Sequence, residues 1–236
     1  SYKYDQATLK KQLLLFDIAK KQNTVLEIGV YMAHSILIML SSNPKLNIYG
    51  IDIDKKYALP SMNYLQKKFP KSKLKFLEGD SIKILKKLKK KFDLFHIDGD
   101  HRTLKIYKEI IECFKLTKTK NMKILFDDAD MMKSVERSLI NSFQIKKYIK
   151  PISKSRNLYL EIKLNKKSIF KFKLLFFFWH LIESPKIYLM PISKIIIRKL
   201  IIILFGKKLC NYFGKLISNN FSNDYLKIFA KKLKNI

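Results

Sequence analysis

The sequence predicts a doubly wound α/β domain, in which helices cover both faces of a mostly parallel sheet, followed by a helical extension. Short runs rich in Val, Ile, Leu and Phe alternate five times with segments whose apolar residues recur at helical spacing, and the connections are short. Two more apolar runs complete a sheet of five parallel strands with a C-terminal antiparallel hairpin. After about Asn165, dense apolar runs broken by lysines replace this alternation. We therefore expect a domain over residues 1–165 and a basic, apolar helical extension over residues 166–236.

Each predicted element follows from its local residue pattern. Leucines at helical spacing predict a first helix over residues 5–23, and Pro44 and Pro70 lie just beyond the ends of the second and third predicted helices. The β-branched and apolar runs predict strands over residues 24–28, 46–53, 73–77, 92–97, 122–126, 144–149 and 158–163. The helical patterns that follow the first five strands cover residues 33–40, 57–69, 81–90, 102–116 and 131–143.

The composition indicates a folded, cytoplasmic chain with a strong positive charge. Of the 236 residues, 47% are hydrophobic, which argues against disorder, and the formal net charge is +30. Only four of the 49 basic residues are arginines. This favours solvated lysines over a nucleic-acid interface, although the charge leaves nucleic-acid binding open. We recognise no secretory signal, and Cys113 and Cys210 lack partners at metal-ligand spacing, so we expect reduced thiols.

Carboxylates stand at the ends of all five predicted parallel strands. The chain has only 19 acidic residues against 49 basic ones, so this clustering is a strong signal. Ligands of doubly wound sheets bind beyond the carboxyl ends of the strands, near the point where the strand order reverses. The acids therefore predict a ligand site at this edge of the sheet. They are Glu27, Asp52, Asp54, Asp80, Asp98, Asp100, Asp127 and Asp128.

The order of these motifs resembles that of class I S-adenosylmethionine-dependent methyltransferases. Their first motif is an acidic residue, any residue, glycine, three residues and a small residue, and it matches Glu27, Gly29 and Ala33. The stretches EIGVY and IDGDH are similar to a branch that includes small-molecule and sugar O-methyltransferases, and the match covers residues 24–163. The resemblance implies a Rossmann-like fold and methyl transfer from S-adenosylmethionine to a hydroxyl of a small molecule, with a sugar or glycan precursor favoured.

The resemblance also implies where the cofactor binds. Gly29 would let the backbone pass close to the amino-acid portion of the cofactor, and the next helix would offer its N-terminal N–H groups to a carboxylate. Asp52, with Asp54 as the rival, would accept hydrogen bonds from the ribose hydroxyls, and Asp80 from the adenine amino group. Helix capping is the alternative role of Asp54 and Asp80. The expected cofactor-binding set is Glu27, Gly29, Val30, Tyr31, Ser35, Asp52, Asp80, Ser81 and Asp98.

By the same resemblance, the ends of the fourth and fifth strands carry the chemistry. Asp98, Asp127 and Asp128 match the positions at which related enzymes hold one divalent cation, and three carboxylates suit Mg²⁺ or Ca²⁺. Solvated carboxylates at loop edges are the alternative. His101 is the candidate general base, with Asp98 the second catalytic candidate; the alternative for His101 is a capping or supporting hydrogen bond.

The predicted extension contains two apolar runs interrupted by basic residues, over residues 171–182 and 195–205. Neither run reaches the roughly 20 apolar residues that a membrane-spanning helix needs. We expect them to contact a membrane surface, as a peripheral protein would, or to pack against the domain or a second subunit of a homo-oligomer. Two other functions remain open: a nucleic-acid methyltransferase, and a methyltransferase-like scaffold that does not catalyse.

Overall fold

The computed structural model describes residues 6–127, 132–149 and 157–183. This part of the chain contains seven helices and a seven-stranded sheet, in good agreement with the elements expected from the sequence. The strands are β1 Thr24–Ile28, β2 Asn47–Asp52, β3 Lys73–Glu78, β4 Leu94–Ile97, β5 Asn121–Phe126, β6 Gln144–Ile149 and β7 Leu158–Lys163. The helices are α1 Gln6–Ala19, α2 His34–Ser42, α3 Lys55–Lys68, α4 Ser81–Lys87, α5 Thr103–Leu116, α6 Lys133–Ser142 and α7 Lys166–Glu183.

The strand order is β3-β2-β1-β4-β5-β7-β6. The first five strands are parallel to one another, and β7 lies antiparallel between β5 and β6. The predicted α/β fold, with five parallel strands and an antiparallel C-terminal hairpin, is therefore confirmed. The chain runs outward from β1 to β3 and then returns to β4 on the other side of β1. This reversal creates a crevice beyond the carboxyl ends of β1 and β4, where doubly wound folds bind their ligands.

Two apolar clusters, one on each face of the sheet, form the core. Alternate side chains of a strand point to opposite faces, so Val25 joins one cluster while Leu26 and Ile28 join the other. The first cluster packs β1 against α1, α2 and α3, and the second packs it against α5, α6 and α7. All five residues of β1 are buried, which fixes this strand as the centre from which the crevice is built.

Helix α7 packs against α5 and α6 through its aromatic side chains. Phe176 stacks on Tyr107 with the ring centroids 3.9 Å apart, and Phe172 is fully buried against Phe114 and Phe143. The first apolar run of the predicted extension thus lies largely in the protein core. The helices of the described residues include none that is both long and apolar enough to cross a membrane.

The chain divides into two compact units, Ser1–Trp179 and His180–Ile236. The described residues cover mainly the first of these. The second predicted apolar run, over residues 195–205, lies outside the described residues, and the domain boundary at residue 165 remains a prediction.

Candidate active site

A crevice of about 1500 Å³ opens at the carboxyl ends of β1, β2, β4 and β5. Asp98 and Asp127 meet there because each continues the hydrogen bonding of the sheet one residue beyond its strand. The backbone N–H of Asp98 donates to Ile28 O at 2.8 Å, and that of Asp127 donates to Ile97 O at 3.0 Å. The lining residues include Lys11, Gln12, Gly29, Val30, Tyr31, Ser35, Asp52, Ser81, His96, Asp98, Lys105, Glu109 and Asp127.

The loop between β1 and α2 requires glycine at its first position. Gly29 has φ of +89°, and a Cβ atom there would lie 2.2 Å from the backbone oxygen of Asp98. A close contact with the neighbouring strand end therefore already demands glycine here, and the cofactor contact expected from the sequence remains a prediction. Ala33 adopts a left-handed conformation with φ of 58°, which is why α2 begins at His34 and not at the predicted position.

Asp52 holds this loop in place. Its Oδ2 atom accepts hydrogen bonds from the backbone N–H groups of Val30 and Tyr31, each at 2.8 Å. Asp54, the rival candidate for the ribose, caps α3 instead, since its side chain accepts from Lys56 N at 2.7 Å. Of the two carboxylates, Asp52 alone lines the crevice.

The predicted adenine-binding residues divide between two roles. Asp80 caps α4 by accepting from Lys83 N at 3.0 Å, and it lies 3.5 Å from the ammonium group of Lys105. The backbone hydrogen bond from Lys83 and the charge of Lys105 outweigh desolvation and lower the pKa of Asp80. Asp80 is not among the lining residues, whereas Ser81 is, and Ser81 donates from Oγ to Glu109 Oε1 at 2.5 Å.

Glu109 is a fully buried acid on α5 that the sequence did not single out. Its Oε2 atom has no hydrogen-bond partner among the described residues, although Oε1 accepts from Ser81. Burial raises the pKa of Glu109 to about 7. The hydrogen bond from Ser81 and the charge of Lys105 lower this pKa, but they offset only part of the effect of burial. Nothing in the sequence distinguishes Glu109 from the other acidic residues of a helix.

Beneath the crevice, Glu27 and His96 form a buried pair at the centre of the sheet. Glu27 Oε1 accepts from Ser35 Oγ and lies 3.3 Å from His96 Nδ1, and both side chains are at most 2% exposed. Burial alone would lower the pKa of His96, but the hydrogen bond to Glu27 and the nearby charges of Glu27, Asp98 and Asp127 raise it. His96 and Asp98 are two residues apart at the end of β4 and therefore share a face of the sheet, and both line the crevice.

Asp98 and Asp127 lie at the ends of β4 and β5 and face the same crevice. Desolvation raises the pKa of Asp98 to about 7; His96 and Lys11 oppose this rise, while Asp127 and Glu27 add to it. The side-chain ammonium of Lys11, on α1, forms an ion pair with Asp127 Oδ2. Lys11 was not expected at the site, because nothing in the neighbouring sequence distinguishes it from the other basic residues, of which the chain has 49 in all.

Most predicted site residues thus line the crevice, with four exceptions. Glu27 is buried beneath it. Asp80 lies beside the crevice as a helix cap, and His101 is exposed on the loop before α5 and is not among the lining residues. Asp128 lies outside the described residues. The catalytic role expected of His101 remains a prediction.

The crevice suits a cationic cofactor better than it suits a divalent metal ion. Asp98 and Asp127 line the crevice, and Glu27 lies beneath it with its Oε2 atom lacking a hydrogen-bond partner among the described residues. The negative charge of these carboxylates can offset the charge of a sulfonium group. For a metal, Lys11 already pairs with Asp127 Oδ2, and Asp128, the third predicted ligand, lies outside the described residues.

Comparison with known proteins identifies the class of enzyme. The sequence profile of a family described as O-methyltransferase matches residues 3–154. The chain therefore belongs to the O-methyltransferase family and is an S-adenosylmethionine-dependent methyltransferase, as its motifs indicate. A comparison with curated proteins gives no match.

Solved structures share the fold at low sequence identity. The O-methyltransferase TomG from Streptomyces achromogenes, in complex with SAM, is 14% identical with a TM-score of 0.52, over 69% of this chain and 92% of its own. SAH-bound PaMTH1 from Podospora anserina is 16% identical with a TM-score of 0.52, over 66% and 78% of the two chains. N-methyltransferase NodS from Bradyrhizobium japonicum WM9, with SAH, is 12% identical with a TM-score of 0.52, over 69% and 89%.

Proposed function

We propose that this methyltransferase transfers the methyl group of S-adenosylmethionine to a hydroxyl oxygen of a small molecule at the carboxyl ends of β1, β4 and β5. One observation carries the proposal: on a chain with a net charge of +30, the carboxylates of Asp98 and Asp127 line a single crevice, and Glu27 is buried beneath it. Such a negative site stabilises a bound sulfonium and leaves a proton acceptor beside it.

The cofactor, when bound, supplies an electrophilic methyl group. The residues around the β1–α2 loop would hold the amino-acid portion, with Gly29, Val30, Tyr31 and Ser35 contributing backbone and side-chain contacts near the N-terminus of α2. Asp52 would accept from the ribose through Oδ1, which accepts one hydrogen bond, from Asp54 N at 3.1 Å, whereas Oδ2 already accepts from two loop N–H groups. Ser81, which lines the crevice, and Asp80 beside it would bound the adenine.

Asp98 is the better placed of the two candidate bases. Asp98 lines the crevice, and its pKa is raised to about 7. Near neutral pH, part of the Asp98 side chains are therefore ionised, and the carboxylate binds a proton more readily than an ordinary aspartate does. The bound cofactor would supply its methyl group to the acceptor oxygen and keep the electron pair of the broken carbon–sulfur bond, and Asp98 would accept the hydroxyl proton of the acceptor. Holding the two reactants in line supplies much of the rate.

The acceptor that we favour is a sugar or a glycan precursor, on the family resemblance of the sequence. The crevice of about 1500 Å³ has room for a second molecule beside a nucleoside. At its mouth, Tyr31 and Met32 are 65% and 58% exposed, which provides apolar surface on which the face of a sugar ring can pack. A lipid-linked precursor would also fit a protein held at a membrane surface by its charge.

Two measurements test this function. Isothermal titration with S-adenosylhomocysteine should show binding, and incubation with S-adenosylmethionine and a panel of nucleotide sugars and saccharides should yield a methylated product by mass spectrometry. Asp98→Asn should lower kcat by about 10²–10⁴-fold, the usual contribution of a general base, while S-adenosylhomocysteine still binds. Asp17→Asn, on the exposed side of α1, is the matched control.

The possible failures of this test point to different alternatives. Lack of S-adenosylhomocysteine binding would favour the non-catalytic scaffold. Methylation of RNA or DNA fragments in place of saccharides would favour the nucleic-acid methyltransferase. Full activity of Asp98→Asn would remove Asp98 as the base and return that role to His101.

A further inference from the structure

An ammonium group lies at the strand-end carboxylates of β4 and β5. Lys11 reaches there from α1, 116 residues before Asp127 in the chain, and pairs with Asp127 Oδ2. The contact is built into the helix, because Thr8, Lys11, Gln12 and Leu15 recur at helical spacing and all line the crevice. Lys11 is therefore held on the face of α1 that looks onto the site.

The surrounding charges explain why a cation is needed at this point. Asp98 and Asp127 are close enough to act on each other, and the side chain of Asp127 is only 6% exposed. Glu27 adds a third carboxylate. The side-chain hydrogen bond of His96 is with Glu27 and not with Asp127. Among the described residues, Lys11 is thus the cation that is paired with Asp127, and its charge also acts on Asp98.

A divalent cation at the same place would have to displace this lysine. The Oδ2 atom of Asp127 already accepts from Lys11, and a second cation beside this partly buried ammonium would be repelled by it. The ammonium also retains N–H groups beyond the one given to Asp127, since Lys carries three donors. These can bond to an oxygen that enters the crevice.

We propose that Lys11 replaces the divalent cation in this enzyme. Its ammonium offsets the charge of Asp127 and donates a hydrogen bond to the acceptor oxygen, so methyl transfer proceeds without a metal ion. The inference rests on the proposed function for the acceptor, but the cation replacement can be tested without knowing that acceptor.

Electron paramagnetic resonance of Mn²⁺ in the presence of S-adenosylhomocysteine provides the test on the full chain. We expect that Mn²⁺ added at about millimolar concentration does not bind to the unchanged protein. Lys11→Met removes the charge while keeping the side-chain length, and it should bind Mn²⁺ at least about tenfold more tightly. Lys11→Arg keeps the charge and should exclude Mn²⁺. Lys10→Met, an exposed neighbour on α1, is the matched control.

The outcomes separate this inference from the proposed function. Tight binding of Mn²⁺ by the unchanged protein, abolished by Asp127→Asn, overturns the inference, as does a Lys11→Met protein that still excludes Mn²⁺. Neither result touches the proposed function, which fails if S-adenosylhomocysteine does not bind to the unchanged protein. Binding of S-adenosylhomocysteine also shows whether each variant is folded. If Lys11→Met does not fold, Lys11→Gln takes its place.

Discussion

At the scale of single residues, the buried carboxyl group of Glu109 links the stability of the domain to pH. Its pKa is raised from 4.5 to about 7 by burial, so the folded chain holds this proton more tightly than the unfolded chain does. The free energy of unfolding that this group contributes therefore falls as the pH rises from about 4.5 to about 7, and is constant above. A shift of this size corresponds to roughly 3 kcal/mol.

Glu109→Gln should remove this dependence. The amide oxygen can still accept from Ser81, and no ionisation remains, so the variant should gain up to about 3 kcal/mol over the unchanged protein at pH 8 and little at pH 4.5. Urea denaturation at both pH values measures the difference. Glu112→Gln, one turn along α5 and paired with Lys115, serves as the control. Equal gains by Glu109→Gln at both pH values would contradict the assignment.

Site residues could be predicted where they belong to a sequence motif. They could not be predicted where their place in the site depends on how distant parts of the chain pack together. Gly29 and Asp52 were recognised because they stand at fixed distances along the first two strands. Lys11, His96 and Glu109 were not recognised as site residues, because their importance depends on what lies opposite them in three dimensions. For Gly29 the structure adds a reason that the motif could not supply, since a Cβ atom there would collide with the backbone of Asp98.

At the scale of elements, α7 is part of the core of the domain. Phe172 is fully buried among the rings of Tyr107, Phe114 and Phe143, whereas Phe170, on the same helix, is 67% exposed. The sequence left packing and membrane contact open for this segment because apolar residues occur all around the helix. The structure resolves that choice in favour of packing for the residues of α7 that point toward α5.

Phe172→Ala should destabilise the domain by about 3–5 kcal/mol, because it removes a buried ring and leaves a cavity. Phe170→Ala removes the same atoms from an exposed position and should change stability by no more than about 0.5 kcal/mol. Thermal or urea unfolding of the full chain compares the two variants. Similar losses for both would mean that α7 does not pack against the domain in solution.

At the scale of the whole molecule, the order of strands and helices followed from the sequence because each element carries its own periodicity. The reversal between β1 and β4 then brings together residues that are far apart in the chain, and this step produces the crevice. The charge balance within the crevice could not be predicted in the same way. It depends on α1 crossing the strand ends, which no local pattern of residues encodes.

The excess of positive charge belongs to this scale as well, and it predicts adsorption to anionic membranes. With 49 basic and 19 acidic residues, the chain should be attracted to phosphatidylglycerol vesicles at low salt, and each lysine near the surface adds about 1 kcal/mol. Flotation of the full chain with such vesicles at about 50 mM salt should recover most of the protein, and phosphatidylcholine vesicles, the matched control, should recover little.

The response to salt separates charge from insertion. Since α7 buries most of its apolar side chains in the domain, attraction through lysines alone should be lost at about 0.5 M salt, where the Debye length is only a few ångströms. Binding that survives high salt would require apolar insertion, through the exposed Phe170 and Phe177 of α7 or through the second apolar run, over residues 195–205. A protein that stays with the unbound fraction even at low salt would refute the membrane-contact proposal, and the lysines would then serve as solvated surface charges.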